Sequence, residues 1–281
     1  WAEIPLVGKA LDTPEFTENM KTELTELIRQ NFNHPSIFCW SLCNELSKGD
    51  VKGLISELND VSHREDPGRL TVLAANVEKR PENAVPDIMA FNTYPGWYWA
   101  EPSEMKSTLE RWNRQCGNKG IAVSEYGAGA NVWHHWQTGK KTPKVDGVFH
   151  PEEWQATVHE QTYDAIKRSG FAWGSFVWNM FDFASASRNE GDMPGMNDKG
   201  LVSYDRKIRK DAFYFYQSEW SEEPVVHIAS RRDVARRDSL TDVKVYTNCE
   251  TVRLKVNGKD CGSPERNGSI CIWRKVGLKH G

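Results

Sequence analysis

Residues 36–45 read SIFCWSLCNE, a short and almost continuously apolar run that ends in an amide and a carboxylate. Its length and its Ile, Phe and Trp content predict a strand that is buried on both faces, as strands of parallel sheets are. Comparable apolar runs recur at residues 70–75, 88–91, 121–123 and 171–183. The sequence therefore predicts five buried strands, to which residues 1–6 add the end of another.

Helical patterns separate these strands. Thr13-Pro14 predicts a helix start, because a threonine cap followed by proline at the first helical position is a favoured beginning. Apolar residues then recur at helical spacing, and similar patterns predict helices after residues 50 and 102, at 151–168 and at 211–220. Strands that alternate with helices imply right-handed crossovers and a parallel sheet.

The strand count decides between two parallel architectures. A closed barrel of this type needs eight strands, so we predict a partial (β/α)8 TIM barrel containing strands 4–8. An open doubly wound sheet is the alternative, and it is disfavoured because no glycine-rich phosphate loop follows any strand. The missing strands lead us to expect a piece of a longer protein.

The pattern changes after residue 222. Short alternating strands are predicted at 225–229, 243–247, 252–256 and 270–273, and Asn257-Gly258 is a strong two-residue hairpin signal. We therefore divide the chain into a C-terminal part of a TIM barrel at 1–222 and an incomplete immunoglobulin-like β-sandwich at 223–281.

Composition excludes several classes of function. The 281 residues carry 36 Lys and Arg against 39 Asp and Glu, a net charge of −3, so no basic excess is available for binding nucleic acid. No apolar run reaches the roughly 18–20 residues that a membrane span needs. The six cysteines have no paired CxxC spacing, and the spacing of His134, His135, His150 and His159 fits no zinc signature, so we predict neither a metal ion nor a cofactor. The compartment stays open, and a homo-oligomer of the full-length protein is one candidate state.

Two carboxylates stand at predicted strand ends, where this architecture places its active site. Glu45 follows one buried strand and Glu125 another, and both belong in one cleft if the strand ends face it. A carboxylic acid paired with a carboxylate suits glycoside hydrolysis, and the 12 tryptophans offer faces on which sugars stack. From the pattern alone, glutamates at a solvated rim and tryptophans in the core are an equal alternative.

Several segments, taken together, resemble glycoside hydrolase family 2, and most closely its β-galactosidase branch. Residues 33–45 (NHPSIFCWSLCNE) resemble the acid/base signature, and residues 124–127 (SEYG) resemble the nucleophile strand. Residues 176–182 (FVWNMFD) and 197–206 (NDKGLVSYDR) are similar to the last barrel strand and the loop after it. Residues 211–214 (DAFY) resemble the final barrel helix.

The resemblance implies a retaining exo-glycosidase that hydrolyses terminal β-D-galactosyl residues by double displacement, with Glu45 as acid/base and Glu125 as nucleophile. It implies further carbohydrate contacts: Asn44 on the sugar 2-hydroxyl, His34 facing the sugar, Tyr94 donating to the nucleophile, and Trp178 as the pocket floor. One departure is Cys43, which stands where the family commonly has glycine, so we expect a slightly rearranged loop around the acid.

Asn197 and Lys199 form an Asn-x-Lys pair similar to the one that β-glucuronidases use to hold the substrate carboxylate. The alternative function is therefore a β-glucuronidase, or another uronic-acid-specific member of the family. A solvated loop lysine is the structural alternative for Lys199. A truncated, catalytically silent sugar-binding fragment is the alternative for the whole chain.

Overall fold

The computed structural model describes residues 1–46, 51–77, 80–118, 120–136, 141–236 and 238–278. The chain forms two compact units. The first contains Trp1–Thr93, Glu104–Tyr126 and Asp164–Val177, and the second contains Tyr94–Ser103, Gly127–Tyr163 and Trp178–Gly281. Within the described ranges, no helix has the length and apolarity needed to cross a membrane.

The first unit is a parallel sheet with its crossover helices. Its six strands hydrogen-bond in chain order, so each strand neighbours the next one along the chain. The strands are β1 (Ala2–Glu3), β2 (Cys39–Asn44), β3 (Leu70–Ala75), β4 (Ala90–Asn92), β5 (Ile121–Tyr126) and β6 (Ala172–Val177). The helices are α1 (Pro14–Asn31), α2 (Val51–Glu65), α3 (Met105–Gln115) and α4 (Glu152–Arg168), the last of which begins in the second unit, and short 3₁₀ turns lie at Pro81–Ala84 and Pro102–Glu104.

Helix α1 begins where the sequence predicts. The hydroxyl of Thr13 accepts a hydrogen bond of 3.2 Å from the backbone N–H of Phe16, and Pro14 occupies the first helical position. Met20, Leu24 and Ile28 are buried on one face of the helix. The cap satisfies one of the otherwise unpaired donors of the first turn.

The parallel sheet curls. Trp1 directly precedes β1 and lies 6.3 Å, centroid to centroid, from the ring of Trp173 and 5.2 Å from the ring of Phe176, both on β6. Since β1 and β6 are the two edges of the six-stranded sheet, these contacts require its edges to approach each other. This geometry confirms the predicted partial TIM barrel.

The last parallel strand is shorter than predicted. The sequence predicts one strand over residues 171–183. In the structure β6 ends at Val177, and Phe183 begins a new strand. The Trp178–Asn179 peptide bond between them is cis. That strand, β7 (Phe183–Glu190), pairs antiparallel with β8 (Met193–Asn197). The sequence analysis missed this hairpin, although Gly191-Asp192 is a two-residue turn signal and both residues have positive φ.

The remaining elements of the second unit include the predicted final helix, α5 (Asp211–Trp220). Strands then follow as β9 (Val226–Ile228), β10 (Leu240–Thr247), β11 (Lys255–Val256), β12 (Lys259–Asp260), β13 (Glu265–Asn267) and β14 (Ile270–Gly277). They form a four-stranded sheet in the order β13-β14-β10-β9 and a two-stranded sheet of β11 and β12.

The predicted hairpin at Asn257-Gly258 joins β11 to β12, and both of its residues have the positive φ that this turn requires. These sheets confirm the predicted β-sandwich character after the barrel. The domain boundary between residues 222 and 223 stays a prediction.

Candidate active site

In the first unit, the carboxyl ends of the parallel strands carry the candidate acids. Asn44 is the last residue of β2 and Glu45 follows it, Asn92 ends β4, and Glu125 lies within β5. The strand register pairs Asn92 directly with Glu125. Adjacent strands lie about 4.8 Å apart, so Glu125 is one strand spacing from Asn92.

The side chain of Asn92 ties this edge together. Its Nδ2 donates a hydrogen bond of 2.8 Å to Oε1 of Glu45 and one of 2.9 Å to Oδ1 of Asn44. Its Oδ1 accepts a hydrogen bond of 2.7 Å from the hydroxyl of Ser124, the residue before Glu125. Because every polar position of this amide has a partner, Asn92 is held in one orientation. Asn92 was not among the site residues predicted from the sequence.

Glu45 is held by its backbone as well. Its φ is +51°, in the left-handed region that residues other than glycine seldom adopt, and its N–H donates a hydrogen bond of 2.8 Å to the carbonyl of Ala74. The side chain is half-buried, as is that of Glu125. Residues in sparsely populated backbone conformations concentrate at functional sites, which is consistent with a role for Glu45 in chemistry.

Cys43 and Cys39 are both buried in β2. Burial raises the pKa of the Cys39 thiol to about 11, and burial likewise raises the pKa of Cys43 well above its ordinary value. Both thiols are therefore neutral at physiological pH and serve as small apolar side chains.

His34 lies at the wrong end of its strand for the expected sugar contact. It is exposed in the turn that enters β2, and its carbonyl accepts hydrogen bonds from Ile37 and Arg69. The six residues of β2 separate this turn from Glu45 by about 20 Å along the strand. The structure therefore does not bring His34 to the carboxyl ends of the strands, and we correct that expectation.

In the second unit, Tyr94 and Trp178 share one apolar cluster. Buried Trp97, Trp154 and Val158 belong to it, and the half-buried Trp178 packs against it. Tyr94 is the second residue after the end of β4, and Trp178 is the first residue after the end of β6. Both aromatic residues thus follow the carboxyl ends of parallel strands.

Asn197 and Lys199 are both buried, with exposures of 2% and 1%. Oδ1 of Asn197 accepts a hydrogen bond of 3.1 Å from the backbone N–H of Lys199. The Lys199 ammonium lies 3.5 Å from Oε2 of Glu190 and over the rings of Trp97 and Tyr98, at 5.5 and 5.2 Å from their centroids. Among the described residues it has no hydrogen-bond acceptor. This burial excludes the solvated loop lysine that the sequence left open.

A buried lysine anchors the segment that carries Asn197 and Lys199. The ammonium of Lys210 donates hydrogen bonds of 2.8 Å to Oδ1 of Asp182, 2.8 Å to the carbonyl of Asp198 and 2.7 Å to the carbonyl of Ala130. Burial raises the pKa of the Asp182 carboxyl, and the Lys210 charge only partly offsets it. With its carboxylate committed to this contact, Asp182 has a structural role.

The histidines that invited a metal interpretation each have another polar contact. His135 lies 2.8 Å from Glu153, His150 2.6 Å from Asp198, and His159 2.9 Å from the hydroxyl of Tyr216. In the part of the chain that the structure describes, no group of three or more His, Cys, Asp or Glu side chains is arranged to hold a metal ion.

Both parts of the sequence match families of known proteins. Residues 4–222 match the family described as "Glycosyl hydrolases family 2, TIM barrel domain", and residues 238–281 match a domain of unknown function, DUF4982. A β-glucuronidase from Bacteroides fragilis is 42% identical over 292 residues, which cover 100% of this chain and 42% of the relative.

Two solved structures share the fold. One is described as a "putative beta-galactosidase" from Bacteroides fragilis, with a TM-score of 0.93 and 36% identity over 100% of this chain and 42% of that one. The other is an FMN-binding β-glucuronidase from Facaelibacterium prausnitzii L2-6, with a TM-score of 0.92 and 35% identity over 100% of this chain and 44% of that one. The chain thus spans less than half the length of these relatives.

Proposed function

The chain belongs to glycosyl hydrolase family 2, and on that premise we propose that its protein hydrolyses β-linked terminal uronic acids, as a β-glucuronidase does. Its substrate is a carbohydrate conjugate whose terminal sugar carries a carboxylate. The reaction is a double displacement with retention of the anomeric configuration, and it requires no organic cofactor.

Glu45 and Glu125 divide the chemistry. Glu45 protonates the glycosidic oxygen while a carboxylate oxygen of Glu125 attacks the anomeric carbon, so the aglycone leaves and a glycosyl ester forms on Glu125. Glu45, now ionised, takes a proton from water as the water oxygen attacks the anomeric carbon, which releases the sugar and regenerates Glu125. The two carboxyl groups must be about 5–5.5 Å apart for this route.

The bonding of Asn92 supports these roles. Asn92 reaches the carboxylate of Glu45 at 2.8 Å and occupies the strand position beside Glu125. One amide side chain therefore links the two acids by a hydrogen bond on one side and by strand register on the other. Asn44, which bonds to the same amide, is the candidate for the sugar 2-hydroxyl contact.

The buried ammonium of Lys199 is the single observation that carries the choice of a uronic acid. Burial of a cation is costly unless the charge is paired and hydrogen-bonded. Lys199 has one carboxylate at 3.5 Å, and no hydrogen-bond acceptor among the described residues. We assign Lys199 and Asn197 to the substrate carboxylate, and we keep Tyr94 and Trp178 as candidate aromatic contacts of the sugar.

β-Galactosidase activity is the second candidate, and it was the first expectation from the sequence. The description of one solved relative as a "putative beta-galactosidase" favours it. A neutral galactoside offers no anion to the Lys199 ammonium, and for that reason we rank this activity second.

Substrate preference tests the proposal. We expect kcat/KM of the protein for p-nitrophenyl β-D-glucuronide to exceed that for p-nitrophenyl β-D-galactoside by about two orders of magnitude, the value of one charge-assisted contact of roughly 3 kcal/mol. A preference for the galactoside would support the second candidate and refute the first. Turnover of neither glycoside, with binding of both sugars, would indicate the silent sugar-binding alternative.

A further inference from the structure

His150 is wholly buried in the second unit, and both of its ring nitrogens face acceptors. Nδ1 lies 2.6 Å from Oδ2 of Asp198, and Nε2 lies 2.9 Å from the backbone carbonyl of Lys144. A carbonyl oxygen can only accept a hydrogen bond, so Nε2 carries a proton.

Asp198 is ionised. Burial raises the pKa of its carboxyl, but the hydrogen bond and charge of His150, with the charges of Lys210 and Lys199, outweigh burial and hold the pKa below its ordinary value. The contact of 2.6 Å between Nδ1 of His150 and Oδ2 of Asp198 is therefore a hydrogen bond to a buried carboxylate. His134 accepts a hydrogen bond of 3.2 Å at Nδ1 from the backbone N–H of His150.

The carboxylate of Asp198 also packs against two glycines. A Cβ added to Gly129 would lie 2.1 Å from Oδ1, and one added to Gly191 would lie 2.5 Å from Oδ2. Both glycine backbones therefore pack directly against the carboxylate. The backbone carbonyl of Asp198 is fixed as well, since Lys210 and the N–H of Ala130 donate to it at 2.8 and 3.0 Å.

Asp198 lies between Asn197 and Lys199, the two residues assigned to the substrate carboxylate. Trp97 connects the same parts through its ring, whose centroid lies 4.8 Å from that of His150 and 5.5 Å from the Lys199 ammonium. Whatever orients Asp198 therefore orients the residue on each side of it.

We propose that His150 is a positioning residue for uronic acid recognition: its ring clamps Asp198 and thereby sets the positions of Asn197 and Lys199. This inference rests on the proposed function. The bond from Nδ1 to Asp198 does the positioning, while the bond from Nε2 holds the ring to the Lys144 segment.

Two substitutions separate these bonds. His150→Asn keeps an amide donor near the position of Nδ1, and His150→Gln keeps one near the position of Nε2. We expect His150→Gln to raise KM for p-nitrophenyl β-D-glucuronide about tenfold or more, as loss of a buried charged hydrogen bond does, with kcat changed less than about threefold. His150→Asn should raise KM less than about threefold. Equal effects of the two, or a loss confined to kcat, would overturn the proposal.

The matched control is His227→Asn, which removes the donor from another buried His–Asp pair, because Nε2 of His227 lies 2.9 Å from Asp211 and asparagine keeps a donor only near the position of Nδ1. This variant should lower the melting temperature without a selective rise in KM. A rise in KM equal to that of His150→Gln would show a general stability effect and refute the positioning role.

A double variant tests whether His150 acts through Lys199. If it does, His150→Gln combined with Lys199→Met is no worse on the glucuronide than Lys199→Met alone, whereas multiplied losses would refute the inference. The wild-type substrate preference keeps the two claims apart. If the wild type hydrolyses the glucuronide and His150→Gln leaves KM unchanged, only the positioning role is refuted. If the wild type does not prefer the glucuronide, the proposed function and the positioning role are both refuted.

Discussion

The amide of Asn92 donates a hydrogen bond of 2.8 Å to the carboxylate of Glu45, although the two residues are 47 positions apart and strand β3 lies between their strands. The two strands are two strand spacings, about 10 Å, apart, and the two side chains together bridge that distance. The fold thus supplies the candidate acid with a fixed hydrogen-bond donor.

Loss of that donor should impair turnover. We expect Asn92→Ala to lower kcat by about 10- to 100-fold, because the Glu45 carboxyl is then free to leave its orientation, an effect of roughly 1.5–3 kcal/mol. Steady-state kinetics measure this. Asn59→Ala is the control, since it removes an amide that bonds to Thr71 away from the strand ends. Equal losses of kcat in both variants would contradict a specific role for Asn92.

Removal of the Lys199 charge should change specificity. Lys199→Met keeps the length of the apolar stem and should lower kcat/KM for the glucuronide by about 100-fold, as expected for a lost charge-assisted contact. The neutral galactoside should lose much less. Lys207→Met is the control, because Lys207 is exposed and pairs with Asp205 at 3.5 Å. A uniform loss on both substrates would argue against recognition of a carboxylate.

His159 should make the fold sensitive to acid. Burial, with a smaller effect from the Lys210 charge, lowers the pKa of His159 to about 3. The unfolded chain binds a proton near pH 6.5 and the folded chain does not, so this residue's contribution to stability is complete above pH 6.5 and is lost as the pH falls towards 3.

Between pH 7 and pH 5 this loss is about 2 kcal/mol. The variant His159→Gln should therefore show a smaller drop in the free energy of unfolding over that interval than the wild type. Urea unfolding at the two pH values measures the difference. Parallel drops in both proteins would mean that His159 is protonated in the folded state.

Gly191 should tolerate substitution less well than Gly195 in the same hairpin. Both have positive φ, so alanine strains the backbone by about 1 kcal/mol at either position. At Gly191 the new Cβ would also lie 2.5 Å from the carboxylate of Asp198, whereas nothing lies within 4 Å at Gly195. Gly191→Ala should thus lower the melting temperature further than Gly195→Ala. The reverse order would contradict the close packing of Gly191 on Asp198.

Much of the barrel follows from the sequence because its signals are local. Apolar runs and caps predict β3 and α5 with the observed bounds, and Glu45 and Glu125 stand at strand ends because each follows an apolar run. The hairpin of β7 and β8 was missed because β7 reads FASASRNE, with little apolar alternation, and an aromatic stretch leads into it.

The rest of the candidate site depends on contacts between distant segments. Which amide reaches Glu45 depends on the order and register of the strands, so Asn92 could not be assigned from the sequence. The burial of Lys199 depends on aromatic rings about 100 residues earlier, Trp97 and Tyr98. His34 was misplaced because proximity to Glu45 in sequence does not reveal that a whole strand lies between them.

A mechanism-based fluorosugar identifies the nucleophile by labelling it. An activated fluoroglucuronide should esterify Glu125, so that mass spectrometry of proteolytic fragments finds the added sugar on the peptide containing residues 121–126. The Glu125→Gln variant should not form the ester, whereas the Glu45→Gln variant should still form it on Glu125. Labelling of Glu45, or of any residue other than Glu125, would contradict the account.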